Sequence, residues 1–491
     1  MRYVLAIDEG TTGVRALIFD ESSAIVGSAY QELTTRYPQP GWVEMDAQGI
    51  WDAARAVCAK ALQAAGRAPR DISAIGVCNQ RATTVVWERA SGRPVYPAIV
   101  WQDIRTADRV PELMAQGIFT NSMASAAKLE WVLRTAVLRT ASDAMHRAAT
   151  GELCFGTIDS WLVWKLTGGA AHVTDYSNAS CTSLYDAMNN EWDQNALAVL
   201  QIPPGMLPAL RSSSEVYGQT TMDAFGAEVP VAGIAGDQQA AMFGELGTEQ
   251  GAVKITFGTS AMADVNTGGM PVLSTRGAYP LILWGLNEQR TFCLEGTAMT
   301  AGAAVQWLRD GLGILQTLEE SAAVAQQVAD SGGVWAVPAF QGLGTPHMDP
   351  NARAVIGGLS RASTRAHVVR AVLEGIAYRS REVLETLLED SSTPAPARLR
   401  VDGGAAANDF LLQHLADVLG LPVERPQAIQ ASALGVAYLA GLATGVWRSL
   451  DDVKHTWRSG RIFEPRWSQD QRDTNFRNWQ KAIAAARARI F

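Results

Sequence analysis

A short apolar run, a turn with Gly-Thr and a second apolar run occur together twice in this sequence. At the start, two such runs flank the loop DEGTTG (residues 8–13), and a third run covers residues 25–30. Apolar runs of this length that are separated by tight-turn residues predict antiparallel strands. In the second half, two apolar runs flank the loop GTS (residues 258–260) in the same way. The sequence therefore predicts two similar halves, each beginning with a strand, a loop and a strand.

The length of the chain also supports two domains. The chain has 491 residues, whereas a single hydrophobic core rarely serves more than about 250–300 residues. With 47% hydrophobic and 18% charged residues, the composition is that of a globular protein. The segment GTEQG (residues 247–251) reads as a hinge, which predicts an N-terminal domain over residues 1–246 and a C-terminal domain over residues 247–491.

Charge, cysteine content and hydropathy exclude several classes of protein. The net charge of -8 provides no basic surface for nucleic acid. The five cysteines are scattered without a C-x-x-C pair, so we expect reduced core residues and neither a disulfide framework nor a zinc site. The chain reaches Asp8 before any apolar stretch typical of a signal peptide, which predicts a cytoplasmic protein. The uncharged residues 430–447 are rich in Ala, Gly and Ser and predict a buried helix, not a membrane span.

Polar residues follow two predicted strands at the points where these strands end. Asp46 first precedes a segment with apolar residues at helical spacing, which predicts an amphipathic helix. The apolar run at residues 74–78 then ends in NQR (residues 79–81), and the run at residues 231–235 ends just before Asp237. Strand ends of this kind are where α/β proteins place ligands. The sequence therefore predicts an α/β fold with a ligand site at these strand ends.

The loop DEGTTG has groups that can bind phosphate. Its backbone N–H groups and the hydroxyls of Thr11 and Thr12 can donate to phosphate oxygens, and Asp8 can bind Mg²⁺ through water. Arg15 adds a positive charge. The alternative interpretation is a β-turn that only needs glycine. The GTS loop could hold the same triphosphate from the second half of the chain, although a Gly-Thr turn is common by itself.

A third loop, VDGGAAAND (residues 401–409), consists mostly of small residues. Small residues would let a nucleotide base or ribose lie close to the backbone. The alternative is a tight strand-to-helix turn in which Asp402 or Asn408 caps the helix.

Asp237 is the predicted catalytic base. It lies before a predicted helix, whose N-terminal dipole keeps a carboxylate ionised. An ionised carboxylate can accept a proton from a substrate hydroxyl as that oxygen attacks a phosphoryl group. Arg81 could bind a substrate hydroxyl or neutralise the transferring phosphoryl group, and Trp101 could form the floor of a polyol pocket. The alternatives are a capping aspartate, a surface ion pair and a core tryptophan.

Segments along nearly the whole chain match one known family in the family's order. The segments are DEGTTGVRA, PGWVEMD, NQRATTVVW, AIVWQDIRTA, GTIDSWLVWKLTG, HVTDYSNAS, SSEVYG, GIAGDQQAAMFGEL, FGTSA, AGAAVQWLRD, PAFQGLGTPHMDP and VDGGAAANDFL. On these segments the chain resembles the FGGY carbohydrate kinases and, within them, the glycerol kinases. The resemblance implies two ribonuclease H-like α/β domains of the actin and hexokinase type with a central cleft. The N-terminal domain would carry the polyol site, the phosphate loop and the base, and the C-terminal domain the nucleotide site.

The resemblance also implies ATP and Mg²⁺ as cofactors and assigns roles by position. The nucleotide contacts would be Thr11, Thr12, Gly13, Arg15, Thr259, Gly302, Gln306, Gly404 and Asn408. The catalytic residues would be Asp237 and Arg81. The polyol contacts would be Arg81, Trp101, Asp237 and Gln238. The residues associated with the metal would be Asp8 and Asp237.

Three residues depart from the glycerol kinase pattern. Ala82 replaces a glutamate that binds substrate hydroxyls, Met123 aligns with a pocket tyrosine, and Met262 replaces an aromatic residue after the second Gly-Thr loop. All three positions belong to the substrate pocket in the family. A hydrogen bond to a charged group contributes about 1.5–3 kcal/mol, so the loss of the glutamate alone could weaken glycerol selection about tenfold or more.

The sequence thus predicts an ATP-dependent kinase that phosphorylates a primary hydroxyl of a small polyol or sugar, with conversion of glycerol to glycerol 3-phosphate as the default reaction. One alternative within the family is a kinase for a longer polyol or a ketose, such as a tetritol, a pentitol, xylulose or ribulose. Alternatives of another class are an actin-like or chaperone-like ATPase and a catalytically weak polyol sensor. The expected partner is the small-molecule substrate. We also expect a homo-oligomer, a dimer or a tetramer, without nucleic acid and without a membrane span.

Overall fold

The computed structural model describes residues 2–136, 141–427 and 430–488. The chain divides into two compact units. The first comprises Met1–Gly244, Ile282–Arg290 and Ser432–Trp457, and the second comprises Glu245–Leu281, Thr291–Ala431 and Arg458–Phe491. These units are not continuous in sequence, unlike the predicted domains 1–246 and 247–491. A compact unit is not the same as a domain that folds by itself, so the two continuous domains stay a prediction.

A mixed six-stranded sheet forms the centre of the first unit. Its strands are β1 (Tyr3–Gly10), β2 (Gly13–Asp20), β3 (Ile25–Glu32), β4 (Ile72–Asn79), β5 (Ser214–Gln219) and β6 (Pro230–Gly236). The order across the sheet is β5-β6-β4-β1-β2-β3. The first three strands form the predicted antiparallel meander, and β4 and β6 run parallel to β1.

A seven-stranded sheet is associated with the second unit. Its strands are β7 (Val253–Phe257), β8 (Ala261–Gly268), β9 (Tyr279–Leu286), β10 (Gln289–Ala298), β11 (Leu399–Asp402), β12 (Val423–Arg425) and β13 (Arg461–Phe463). The order is β9-β10-β8-β7-β11-β12-β13. The segment Ile282–Arg290, where β9 ends and β10 begins, belongs to the first unit.

The two sheets have the same plan. In each, a first strand pairs on one side with an antiparallel strand, which in turn pairs with another antiparallel strand. On the other side of the first strand lie two parallel strands, β4 and β6 in one sheet and β11 and β12 in the other. An antiparallel strand, β5 or β13, then ends the sheet. The prediction of two similar halves is confirmed, and β9 is an addition at one edge.

The helices surround these sheets. Those that matter for the site are α1 (Ala47–Ala65), α2 (Ser125–Trp131), α3 (Asp237–Gly244), α4 (Gly302–Asp310), α5 (Arg365–Asp390), α6 (Asp409–Leu419) and α7 (Ala431–Ala443). Other α-helices cover Val110–Ala115, Ala141–Ala149, Ile158–Leu166, Tyr176–Ser180, Gln194–Leu200, Met222–Phe225, Glu320–Ala325, Leu450–His455 and Gln469–Arg487. Short strands lie at Thr35–Arg36, Glu44–Met45, Val85–Glu88, Ala98–Ile99, Leu153–Gly156, Val173–Asp175, Tyr185–Asp186, Glu191–Trp192, Ala209–Arg211, Trp335–Val337 and Val355–Gly357.

The amphipathic helix predicted after Asp46 is α1. The Asp46 side chain accepts from the Gln48 N–H as its N-cap, and Gly66 ends the helix in a left-handed conformation with φ 61°. Its buried face, which includes Ile50 and Val57, packs on the outer strands of the first sheet. The prediction is confirmed because both end signals and the apolar spacing are local properties of the sequence.

The uncharged stretch after residue 430 forms α7, which packs directly on the first sheet. A Cβ atom on Gly76 of β4 would lie 2.4 Å from the main-chain oxygen of Val436, and one on Gly233 of β6 would lie 2.7 Å from the nitrogen of Ala440. Glycine is therefore required on the two strands. Across the residues described, no helix is long and apolar enough to cross a membrane.

The cysteines are free thiols, as predicted. Cys58, Cys78, Cys154 and Cys293 are buried, but Cys181 is partly exposed. The prediction that all five are core residues is therefore wrong for Cys181. It lies at the end of the short helix Tyr176–Ser180, with its Sγ atom 4.0 Å from Nη1 of Arg81.

Candidate active site

The carboxyl ends of three parallel strands bring the main predicted residues together. Asp8 of β1 is level with Cys78 of β4, and Cys78 is level with Ala235 of β6. Neighbouring strands lie about 4.8 Å apart. Asp8, Arg81 and Asp237 therefore lie at one edge of the first sheet, as the sequence predicted for residues that follow these strands.

Asp237 and Arg81 form an ion pair. The Oδ1 atom of Asp237 lies 3.4 Å from Nε of Arg81, and the two side chains are 33% and 15% exposed. This low exposure argues against the alternative of a surface ion pair. A Cβ atom on Gly236 would lie 2.7 Å from Cγ of Arg81, so glycine is needed just before Asp237 for the arginine to approach.

The sequence predicted Asp237 just before a helix, but Asp237 is the first residue of α3. Its Oδ1 atom accepts from the N–H of Gln238 at 2.8 Å, and its main-chain oxygen accepts from Oγ of Ser432 at 3.0 Å. A carboxylate in the first turn is stabilised in its ionised form by the N–H groups and the dipole of the helix. The position of Asp237 in the first turn therefore favours its ionised form, and its role as a base stays a prediction. Gln238 lies beside the base in the same turn.

The DEGTTG loop is a two-residue turn between β1 and β2, closed by the pairing of Gly10 with Gly13. Thr12 is exposed, while a Cβ atom on Gly13 would lie 2.4 Å from the Tyr30 hydroxyl oxygen. Arg15 follows on β2, with its guanidinium 5.4 Å from the centre of the Tyr30 ring. The structure thus brings these predicted phosphate-binding residues together, and their contact with a nucleotide stays a prediction.

The indole of Trp101 connects to the phosphate loop. Its Nε1–H donates to Oγ1 of Thr11 at 3.0 Å. The alternative of a simple core tryptophan does not hold, because the side chain is partly exposed and its polar atom is used at the loop. The predicted polyol wall and the predicted phosphate loop are therefore in direct contact.

Gln80 is a residue of this site to which the sequence analysis gave no role. Its amide oxygen accepts from the hydroxyls of Thr11 at 3.2 Å and Thr83 at 3.1 Å, and its Nε2–H donates to Oε1 of Glu9 at 2.8 Å. Thr83 in turn accepts from the Trp101 N–H at 3.2 Å. One amide group therefore fixes the phosphate loop against the segment that carries Trp101. Its place directly after a strand and before Arg81 was the available signal.

Glu9 is a buried carboxyl beside the two acids of the site. Burial raises the pKa of Glu9 well above its usual value, the hydrogen bonds from Gln80 oppose that shift, and the charges of Asp8 and Asp237 add to it. Burial therefore makes the charged form of Glu9 less favourable than that of an exposed glutamate.

Asp8 and Asp237 have the chemistry of a partial magnesium site. Burial raises the pKa of the Cys78 thiol most, and the negative charges of Asp8 and Asp237 raise it further. The Sγ atom of Cys78 lies 3.4 Å from Oδ1 of Asp8. In the three described ranges, no group of three or more His, Cys, Asp or Glu side chains could hold a metal by itself. Mg²⁺ commonly uses one or two carboxylates with waters and substrate phosphates. The residues fit a magnesium ion that arrives with a nucleotide.

Two of the residues that depart from the glycerol kinase pattern lie near Trp101. Ala82 is buried, with φ 59°, and its main-chain oxygen accepts from Oγ of Ser125 at 3.0 Å. Met123 lies just before α2 and is partly buried. Lys128 of α2 donates to the main-chain oxygens of both Trp101 and Met123, and the sequence analysis missed this lysine.

The second Gly-Thr loop joins β7 to β8 in the second unit. Thr259 is exposed, and its main-chain oxygen accepts from the Ala301 N–H at 2.9 Å. The N–H of Gly302 donates to the oxygen of Gly258 at 2.9 Å, and a Cβ atom on Gly302 would lie only 2.5 Å from that oxygen. The start of α4 is therefore fixed against the loop, with Gln306 exposed one turn further along.

The small-residue loop after β11 combines a strained glycine with an open one. Gly403 has φ 87°, and a Cβ atom there would lie 2.5 Å from the oxygen of Phe257, whereas one on Gly404 would meet nothing within 4 Å. Asn408 caps α6 by accepting from the Leu411 N–H at 2.9 Å, which supports the alternative of a helix cap. The nucleotide contacts of Gly404 and Asn408 stay predictions.

Met262, the third departure, lies on β8 in the second unit, and its Sδ atom accepts from Oγ1 of Thr297 at 3.2 Å. The predicted residues of the second unit are thus grouped at the ends of β7 and β11 and at the starts of α4 and α6. Those of the first unit are grouped at the ends of β1, β4 and β6.

Comparison with known proteins places both parts of the chain in one family. The FGGY family of carbohydrate kinases, N-terminal domain, matches residues 3–244, and the C-terminal domain of the same family matches residues 253–444. A glycerol kinase of Deinococcus radiodurans is 46% identical over 99% of this chain and 98% of its own length.

Two solved structures extend the similarity to the fold. A Plasmodium falciparum glycerol kinase with ADP has a TM-score of 0.92 at 30% identity and covers 100% of this chain and 99% of its own. A xylulose kinase from Rhodospirillum rubrum has a TM-score of 0.84 at 26% identity and covers 99% of each chain. With sequence and fold matched over nearly its full length, the chain belongs to the FGGY family of carbohydrate kinases.

Proposed function

We propose that this chain transfers the γ-phosphoryl group of ATP to a primary hydroxyl of a small polyol, with glycerol as the default substrate. The observation that carries the proposal is the pairing of Asp237 with Arg81 at the strand ends beside the DEGTTG loop. A base, a cation and a phosphate-binding turn are the groups that this reaction needs. The glycerol kinase of Deinococcus radiodurans, at 46% identity, supports the default substrate.

Asp237 accepts the proton of the substrate hydroxyl in this mechanism. Its position in the first turn of α3 favours the carboxylate form, and Arg81 at 3.4 Å holds it in one orientation. Arg81 then adds positive charge where the phosphoryl group transfers, while Trp101 and Gln238 orient the polyol. Catalysis of phosphoryl transfer consists mainly of positioning and charge stabilisation, and these residues supply both.

ATP and Mg²⁺ are the proposed cofactors. The Plasmodium falciparum structure contains ADP, which supports nucleotide binding here through Thr11, Thr12, Gly13 and Arg15. In the second unit, the proposed nucleotide contacts are Thr259, Gly302, Gln306, Gly404 and Asn408. Asp8 and Asp237 would hold Mg²⁺, which neutralises phosphate charge when bound.

A longer polyol or a ketose is the second candidate substrate class. It is favoured by the apolar side chains of Ala82 and Met123 near Trp101, where the glycerol kinase pattern has a glutamate and a tyrosine. The similarity to a xylulose kinase from Rhodospirillum rubrum at TM-score 0.84 is compatible with such a substrate. A weak polyol sensor would bind one of these compounds with little turnover, and an ATPase of the actin or chaperone type would not depend on a polyol.

We also propose that the chain forms a homo-oligomer in the cytoplasm, a dimer or a tetramer. Light scattering coupled to gel filtration would give the number of subunits. A monomer at assay concentrations would contradict this part of the proposal.

The test of function is ADP release from ATP and Mg²⁺ with glycerol, erythritol, threitol, the pentitols, xylulose, ribulose and dihydroxyacetone. The highest kcat/KM with glycerol would confirm the default substrate, and the highest value with a four- or five-carbon compound would favour the second candidate. ADP release that no polyol or ketose stimulates would contradict the proposed kinase activity. The Asp237→Asn variant is the control for contaminating kinases.

A further inference from the structure

Lys128 is a buried residue of α2 that joins two segments of the proposed polyol pocket. Its side chain is 0% exposed. The ammonium donates to the main-chain oxygen of Trp101 at 3.0 Å and to that of Met123 at 2.8 Å. These oxygens belong to two segments that are separated along the chain, so the lysine fixes the distance between them.

Packing alone does not account for a lysine at this place. No carboxylate among the described residues forms an ion pair with it, since Asp103 is bound to Arg105 with Oδ2 2.7 Å from Nη2. Burial lowers the pKa of Lys128 to about 7, the charge of Asp103 opposes this shift and that of Arg105 adds to it. Because burying an unpaired cation costs folding free energy, an apolar side chain would fill the space at a lower cost.

The same turn of α2 holds a third segment of the pocket. Ser125, also 0% exposed, donates through Oγ to the main-chain oxygen of Ala82 at 3.0 Å. Ala82, Trp101 and Met123 are therefore all held through their main-chain oxygens by two side chains of one short helix. This arrangement leaves the partly exposed side chains of Trp101 and Met123 available to a ligand.

We propose that Lys128 is a positioning residue that holds Trp101 and Met123 apart at a fixed distance and thereby sets the width of the polyol pocket. The inference rests on the proposed function, which takes these two residues as walls of the polyol site. Lys128 makes no hydrogen bond to the DEGTTG loop, since both of its acceptors are the two oxygens named above. Trp101 does contact that loop through Thr11, so the effect of Lys128 should be larger on the polyol than on ATP.

The Lys128→Met variant tests this role because methionine keeps an unbranched apolar stem and removes every donor. We expect the KM of the best polyol to rise at least tenfold, while the KM of ATP rises by a clearly smaller factor. The midpoint of thermal unfolding should stay near the wild-type midpoint, because removal of the buried charge offsets the loss of the two hydrogen bonds. A residue that only supports the fold would lower that midpoint and affect both substrates equally.

The matched control is Lys165→Met. Lys165 also donates to a main-chain oxygen, that of Gly92 at 3.3 Å, but it lies in the helix Ile158–Leu166 outside the proposed pocket. Its variant should keep the wild-type KM for the polyol. The Lys128→Arg variant retains donors of different geometry and should recover part of the lost polyol affinity.

Two results would overturn the inference while the proposed function stands. One is a polyol KM of Lys128→Met within twofold of wild type, and the other is an equal rise in the KM of ATP. If this variant does not fold, Lys128→Arg gives the test through the oxygens of Trp101 and Met123, with an expected rise of about threefold in polyol KM and a smaller change in the KM of ATP. Wild-type enzyme without polyol-dependent ADP release would overturn the proposed function and this inference together.

Discussion

The Oδ1 atom of Asp237 lies 3.4 Å from Nε of Arg81. The proposed role of each residue follows from its place at a strand end. The Asp237→Asn variant keeps the shape of the side chain and removes the base. Because a general base contributes about 100- to 10,000-fold to the rate, we expect kcat to fall by about that factor. Steady-state assays with both substrates would measure this.

The matched control for Asp237→Asn is Asp223→Asn, which changes an exposed aspartate in the short helix Met222–Phe225. This variant should keep the wild-type kcat. A kcat for Asp237→Asn within tenfold of wild type would show that another group takes the proton.

Lys128 gives a second prediction at this scale, in the pH dependence of stability. Burial lowers the pKa of Lys128 to about 7 in the folded state, against about 10.4 in an unfolded chain. Between these values the unfolded state binds more protons, so the free energy of unfolding rises with pH, by at most about 1.4 kcal/mol per pH unit. The stability advantage of Lys128→Met over wild type should therefore be largest below pH 7 and shrink toward pH 9.

Urea unfolding at pH 6, 7.5 and 9 would measure that difference. The charges of Asp103 and Arg105, which act on Lys128 in opposite directions, are the same in both proteins. The Lys60→Met variant, which removes an exposed lysine, provides the control and is measured at the same three pH values. A difference between Lys128→Met and wild type that does not vary with pH would contradict a buried, titrating lysine.

The residues that the sequence could reveal are those that do chemistry at strand ends. Asp237 and Arg81 closely follow apolar runs, and this position can be read from the sequence itself. Gln80 and Lys128 act by joining segments that are distant along the chain, to Thr11 in one case and to Trp101 in the other. Such hydrogen bonds depend on the folded arrangement, so the sequence does not reveal them, although the place of Gln80 directly after a strand was a signal for that residue.

At the scale of elements, two adjacent glycines after β11 should behave differently. Gly403 has φ 87°, and a Cβ atom there would lie 2.5 Å from the oxygen of Phe257, so Gly403→Ala should destabilise the fold, by about 1–3 kcal/mol or more. Gly404 faces open space, with nothing within 4 Å of a Cβ atom. We expect Gly404→Ala to fold normally and to raise the KM of ATP at least fivefold, because the new methyl group would occupy space proposed for the nucleotide.

Thermal unfolding and ATP kinetics of the two variants would separate these effects. The KM of the polyol should not change in Gly404→Ala, which serves as the internal control. An unchanged KM of ATP in that variant would remove Gly404 from the proposed nucleotide site.

The sequence predicts elements well where their signals are local. Asp46 marks the start of α1, and the apolar spacing after it defines the buried side of this helix, which includes Ile50 and Val57. The sequence analysis did not identify α2, because the six residues from Ser125 to Glu130 are all buried. A helix that is buried all round has no alternation of polar and apolar faces to detect. The exact start of α3 at Asp237 also needed the structure.

At the scale of the whole molecule, the repeated strand-loop-strand pattern predicted the duplication of the sheet. The pattern is local in each half, and the common plan of the two sheets follows from it. That residues 432–457 belong to the first unit could not be predicted in this way. It depends on α7 packing on Gly76 and Gly233, which is a contact between segments that are far apart in sequence.

Because residues 432–457 belong to the first unit, we can predict how truncated chains behave. A fragment of residues 1–246 corresponds to the predicted N-terminal domain but lacks α7. Without α7, the glycine-containing surfaces of β4 and β6 would be exposed to water, and exposed apolar surface of this kind promotes aggregation. We expect the fragment to be largely insoluble or to unfold without a cooperative transition.

A second fragment, in which residues 432–457 are joined to residue 246 by a flexible Gly-Ser linker, restores the missing helix. It should be more soluble and should unfold cooperatively in a thermal melt followed by circular dichroism. A third fragment with the same linker and a scrambled 432–457 sequence controls for added length. If residues 1–246 alone unfold cooperatively at the same temperature as the second fragment, α7 is not required and the continuous domain boundary is correct. Cooperative unfolding that appears only with native 432–457 would show that the first domain is built from separate parts of the chain.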